Sequence, residues 1–215
     1  VMVNIGENAS NAPAGMVTSV GFAALGKVFY AFEGNIHCTG ATIAWLQREL
    51  KLINNAAEIE GFATSVPDNG GVYFIPAFAG LGAPWWNSAV RARIVGMTLG
   101  TGKAHVCRAA LESIGYQVTD LVEAMTSEAG ISLKELRVDG GPTRNRFLMQ
   151  FQSDLLGVPV VRSEAEDASA FGAFVMNGFA RKKWLTFDDV SVTPLWFLEM
   201  EETQQKWLTQ AGVKP

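Results

Sequence analysis

The sequence predicts an α/β fold, a mixed sheet flanked by helices, on three observations. Three β-type runs open the chain, a long helical pattern fills its middle, and strands and helices alternate after it. The 215 residues, 48% hydrophobic and 18% charged, supply enough apolar material for one large domain or one compact lobe, so a single domain over 1–215 is expected.

The opening runs fall at 1–5, 16–22 and 28–33, with Asn, Pro and Gly between them, and predict an antiparallel meander. The period then changes. Ile36, Ala41, Trp45, Leu46, Leu50 and Ile53 recur at spacings of three to five and predict a helix within 36–54, followed by a short one over 56–63. The glycine- and aromatic-rich stretch 69–96 predicts a buried strand and then a long structured loop. Across 103–125, Val106, Ala110, Ile114, Val118, Leu121 and Ala124 mark a helix long enough to be a central packing element. Beyond it the pattern predicts a strand at 136–138, a helix at 143–156, a strand at 158–161 and a helix at 168–180, with a further short helix over 203–208. A three-strand opening followed by this alternation, with right-handed crossovers, is the order of the ribonuclease H-like, actin-like ATPase lobe.

Composition excludes several functions. Formal net charge is -4 and no run of Lys or Arg is long enough to track a phosphate backbone, which disfavours nucleic acid. The apolar stretch 72–83 is broken by Pro76, Gly80 and Gly82, far short of the ~20 apolar residues of a membrane span. Cys38 and Cys107 lack CxxC spacing, which fits two free thiols in a reducing, cytoplasmic compartment and leaves a single disulfide open. The first residues lack the layout of a signal peptide and read as a strand cut out of a longer chain.

Two segments have the shape of ligand-binding turns. In 136–145 a strand runs into Asp139, Gly140 and Gly141 and then a helix. Paired glycines let backbone approach a ligand, and helix amides suit a phosphate or ribose oxygen. Asn145 is expected in the first turn of that helix, within reach of a purine or ribose edge. An ordinary strand, turn and helix explains the same residues. In 34–45, small Gly40 and Ala41 at a helix start leave room for a flat ring, or for tight helix packing. Asp139 fits either a ligand contact or a cap. His105 is expected to be a structural hydrogen-bonding residue, Trp85 and Trp86 to pack the loop onto the sheet, and His37 with Cys38 lacks the partners a metal site needs.

A third string runs from Ala92 through Gly96 to His105, Ala109 and Glu112. It resembles the downstream signature of the FGGY carbohydrate kinases at every constrained position. Gly34-Asn35 with Gly40-Ala41-Thr42-Ile43, the run from Gly71 to Trp86, and Asp139-Gly140-Gly141 into Asn145 resemble the glycerol kinase branch, and the likeness covers nearly the whole chain, weakening after Arg181. The resemblance implies a C-terminal nucleotide-binding domain of a two-domain kinase that uses ATP and Mg²⁺ to phosphorylate glycerol or a related polyol or sugar. Gly40, Gly140, Gly141 and Asn145 would line the adenosine pocket, with Ala44 at a position where Gln is usual. Leu99, Asn87 and Ala92 stand where Arg, Asp and Gly are usual. No catalytic or metal residue is assigned within the chain, because the proton-accepting Asp and the substrate contacts would lie upstream; the fragment alone is then expected to bind adenine nucleotide weakly and not to turn over. A small polyol or sugar is the implied partner, and the resemblance leaves room for a homo-oligomer. A non-catalytic actin-like nucleotide or scaffold lobe, and an FGGY kinase for another sugar such as a pentulose, stay open.

Overall fold

The computed structural model describes residues 1–163, 168–186 and 190; the short helix expected over 203–208 lies outside them. The chain divides into two compact units, Val1–Ala23 with Lys27–Ala168, and Ala24–Gly26 with Ser169–Pro215.

The first unit opens with β1 (Met2–Gly6), β2 (Val17–Ala24) and β3 (Lys27–Glu33), in spatial order β1-β3-β2. The expected meander is therefore corrected: β3 is central, and β1 pairs antiparallel with it from Met2↔Glu33 to Asn4↔Ala31, with a bulge before Gly6↔Tyr30. The reason is connection length. Leu25 and Gly26, both at positive φ (55° and 77°), close β2 directly onto β3. Residues 7–16, including Pro13, separate β1 from β2 and leave β1 free to take the other edge of β3.

Two helices follow, α1 (Gly40–Arg48) and α2 (Glu58–Thr64). The first starts four residues later than its apolar pattern suggested, because residues 34–39 are irregular. It buries Thr42, Ile43 and Leu46. β4 (Tyr73–Ile75) pairs antiparallel with β5 (Arg93–Val95), and only the central Phe74 of β4 is buried, so the strand expected to be buried has one face in the core.

The 27-residue α3 (Lys103–Ala129) is the centre of the unit. Val106, Cys107, Ala109, Ala110, Leu111 and Ile114 join α1, α2 and Phe74 in the larger core, while Leu121 and Met125 form a smaller one near β1. Gly130, at φ 61°, ends the helix one turn beyond the expected stop. The chain then builds a βαβ unit from β6 (Leu136–Val138), α4 (Arg146–Leu156) and β7 (Val160–Arg162), with β6 and β7 parallel. Parallel and antiparallel pairing thus both occur, in separate small sheets flanked by helices.

Within the second unit α5 (Ala168–Ala180) has the expected bounds. Trp184 folds back along it, 5.3 Å from the Phe174 ring and 6.2 Å from that of Phe179. No helix among the described residues is long and apolar enough to cross a membrane.

Candidate functional site

The turn after β6 is built as a ligand-facing turn needs to be, but not as a continuous helix. Gly140 sits at φ 94° and ψ 172°, a conformation open essentially to glycine alone. Its N–H donates to Asp139 Oδ1 at 2.7 Å, and its carbonyl accepts from both the N–H and the hydroxyl of Thr143, at 3.1 and 2.7 Å. Gly141–Arg144 form a 3-10 turn, so the helix expected to begin at 143 begins instead at Arg146. A Cβ added at Gly140 or Gly141 would meet nothing within 4 Å, and the turn therefore faces open space.

Asn145 departs from its expected place. It lies at the N-cap of α4, with φ −82° and ψ 109°, and its Oδ1 accepts from the Leu148 N–H at 2.9 Å. Asn is among the best residues for this role, and Pro142 favours the tight turn before it, so cap chemistry overrides a straight run of helix. The α4 amides are accordingly engaged rather than exposed: Arg146 N–H donates to Glu60 Oε2 at 3.1 Å, and Leu148 N–H is capped. What the site retains is the backbone of the glycine turn and the NH₂ of Asn145, whose Oδ1 is taken by the cap.

Gly40 is brought to the same place. It opens α1, and a Cβ there would touch only Pro142 Cγ, at 3.5 Å. Tight helix packing is thus not what this glycine serves. Ala44 lies one turn further along the same face of α1 and is partly buried, so the face carries nothing longer than a methyl group between these two positions. The five residues expected to line a nucleotide site fall on two elements: Gly40 and Ala44 on α1, and Gly140, Gly141 and Asn145 on the turn that leads into α4. The Gly40–Pro142 contact joins them.

The signature residues hold this arrangement from behind. Glu112 is buried at 4% exposure and binds Arg108 Nε at 2.8 Å and Asn69 Nδ2 at 2.8 Å. Arg108 also donates to the carbonyls of Ala63 and Val66 and lies 5.0 Å over the Phe147 ring, tying α2, α3 and α4 together next to the cap. His105 Nδ1 accepts from the Gly102 N–H at 3.1 Å and caps α3, the structural role expected of it. Ala109 is 2% exposed in the core, and a Cβ on Gly96, at φ 80°, would overlap the Gly71 carbonyl. Just ahead of α1, the Cys38 carbonyl accepts from Gln117 of α3 at 3.5 Å.

Other conspicuous residues stand apart from the turn. Trp85 and Trp86 are 62% and 55% exposed, so they do not pack the loop onto a sheet as expected. Trp86 donates to the Gly15 carbonyl and meets His37 edge-on at 5.9 Å, while Trp85 hydrogen-bonds Asp120. Burial pushes the Asp120 carboxyl above its ordinary range, and the Trp85 bond partly opposes this. Asn87 Oδ1 accepts from the Ala89 N–H at 3.0 Å, a bond a carboxylate would make equally well, so its loop keeps its turn. Leu99 projects fully into solvent. Cys38 and Cys107 are free and buried. Among the described residues no group of three or more His, Cys, Asp or Glu side chains is placed to hold a metal ion.

Sequence reasoning missed the arginines around α4. Arg144, Arg146 and Arg162 line one cleft, and the signal that could have found it was one arginine ending the turn, one opening α4 and one at the end of the following strand.

Comparison with known proteins agrees with this framework. Residues 1–181 match the model of the FGGY family of carbohydrate kinases, C-terminal domain. Glycerol kinase 2 of Thermotoga maritima is 48% identical over 199 residues, which are 93% of this chain and 40% of that protein. The glycerol kinase of Petrotoga mobilis is 50% identical over 184 residues, 86% of this chain and 37% of that protein. The crystal structure of Plasmodium falciparum glycerol kinase with ADP superposes with a TM-score of 0.82 at 34% identity, covering 97% of this chain and 43% of that one. A xylulose kinase from Lactobacillus acidophilus shares the fold, with a TM-score of 0.75 at 17% identity over 88% of this chain and 38% of that one. The chain spans about 40% of the length of the curated relatives it matches. By the family match over 1–181, the chain belongs to the FGGY family of carbohydrate kinases.

Proposed function

We propose that this chain is the nucleotide-binding domain of an ATP-dependent kinase that transfers the γ-phosphoryl group of ATP to a hydroxyl of glycerol, giving glycerol 3-phosphate, or of a related polyol. The observation that carries this reading is the meeting of Gly40 with Pro142, which sets a side-chain-poor face of α1 beside the open Gly140–Gly141 turn. A flat base lies on such a face without obstruction. The Gly141 amide and the Asn145 NH₂ are the donors for ribose and phosphate oxygens, Asn145 being fixed in direction by its own cap to Leu148. Support comes from the glycerol kinases at 48% and 50% identity and from the superposed relative whose structure is described with ADP.

Ala44 offers no hydrogen bond to the base, so recognition there rests on shape. Mg²⁺ arrives with the nucleotide phosphates as part of the substrate and supplies charge neutralisation during transfer. The fit is one of room: an added Cβ at either glycine of the turn finds no atom within 4 Å.

Calorimetric titration with ADP tests the reading. Gly141→Ala leaves the fold intact, because its Cβ meets no neighbour, yet fills the ligand side of the turn and lowers ADP affinity about tenfold or more. Asn145→Asp keeps the cap and the melting temperature, but replaces the NH₂ donor by a charge that repels phosphate and also weakens ADP. Wild-type affinity in both variants, or a bound ADP lying away from the turn, overturns the proposal.

A further inference from the structure

We infer that the cleft between α4 and β7 is a second anion site, which takes a small phosphate-bearing ligand apart from the nucleotide. The cleft has a volume of about 470 Å³, the size of a pocket for one small molecule. Arg144, Arg146 and Arg162 stand around it with Thr143, and Met149 and Val160 add apolar surface. Among the described residues its lining contains no Asp or Glu, although the whole chain has 21 acidic residues against 17 basic ones. Positive charge is therefore concentrated here against the average of the chain.

The other polar groups of the lining point recognition back to the arginines. Ser153 donates its hydroxyl to the Val158 carbonyl, and Gln150 donates to Asp154. Guanidinium forks match phosphate oxygens two at a time, which an ammonium cannot do. Backbone topology places the cleft. Arg162 ends β7 and pairs in register with Val138, the end of β6, so this arginine stands at the carboxyl end of the parallel pair, while Pro159 and Val160 carry the cleft back along β7 beside α4. Gly40, Ala44, Gly140, Gly141 and Asn145 are absent from its lining, so the two sites share no residue.

The test titrates the chain with inorganic phosphate and, separately, with ribose 5-phosphate, each with and without saturating ADP, while NMR follows the arginine Nε–Hε signals. Arg146 and Arg162 are exposed, so Arg146→Gln, Arg162→Gln and the double variant fold normally, which thermal melting checks. The expected result is shifted signals for both arginines, a loss of about tenfold or more in affinity in the double variant, and unchanged ADP affinity. Arg162→Lys, which keeps charge without the fork, falls between. Tighter binding of the ester than of inorganic phosphate identifies an organic phosphate as the ligand, and equal binding identifies the phosphate group alone; either supports the site. Unmoved arginine signals, wild-type affinity in the double variant, or displacement of the probe by ADP overturns it. Failure of ADP to bind at all would count against the nucleotide reading and leave this result standing.

Discussion

Glu112 shows how a carboxylate can be indispensable to this domain without touching substrate. Its side chain is 5% exposed and that of Arg108 is 17%, and between them they accept from Asn69 and donate to the Ala63 and Val66 carbonyls, all in the stretch that leads from α2 toward β4. Removing one partner of such a pair strands the other as an uncompensated buried charge, which is far more costly than the pair is favourable. Glu112→Ala is therefore expected to cost about 3–5 kcal/mol in urea unfolding. Glu112→Gln, which keeps one acceptor for Arg108, costs less. Equal stability of Glu112→Ala and wild type would show that the network contributes no more than a surface ion pair.

Among the elements, what positions the site is a set of close backbone approaches. Gly96 is the sharpest of them: its φ of 80° and the Gly71 carbonyl beside it both exclude a side chain, so β5 and the start of β4 are set by a single missing Cβ. Gly96→Ala should lose more than about 2 kcal/mol, the left-handed backbone alone accounting for roughly 1–2. A melting curve unchanged by that substitution would refute it. Such approaches also decide what sequence could reveal. The start of α3 and the bounds of α5 were legible because apolar spacing is a local signal, whereas the last turn of α3 up to Gly130 was missed. The β5 strand was not, since Arg-Ile-Val is three residues with one half-buried side chain and its pairing to Tyr73–Ile75 is made at long range. Strand order failed likewise, because three runs in sequence do not by themselves say that the long 7–16 connection carries β1 past β2 to pair with β3. In the candidate site, the glycines were visible as turn chemistry, whereas the capping of Leu148 by Asn145 depends on where the 3-10 turn ends, which Pro142 and tertiary contacts to Glu60 settle together.

At the scale of the first unit, everything rests on the face of α3, and Cys107 reports on it. The residue is fully buried in the core, and that burial pushes its thiol from 9.0 up to about 11, with Lys103 offering a partial offset. Unfolding exposes the thiol and returns it to the lower value. Between the two values the unfolded chain has lost a proton that the folded chain still holds, so stability falls as pH rises through that window and is fully present below it. The loss amounts to at most ~2.7 kcal/mol, since each unit of difference is worth ~1.36 kcal/mol. Other groups titrate there too, but they are common to wild type and Cys107→Ala. Urea midpoints measured for both proteins from pH 8 to pH 11 should therefore converge as the wild-type curve drops toward that of the variant, about in proportion to thiolate formation in the unfolded state. Parallel curves would mean that the α3 face opens to water in the native state, and the core through which α3 supports both α1 and the glycine turn would then be looser than the packing of Cys107 with Leu111 and Ile59 requires.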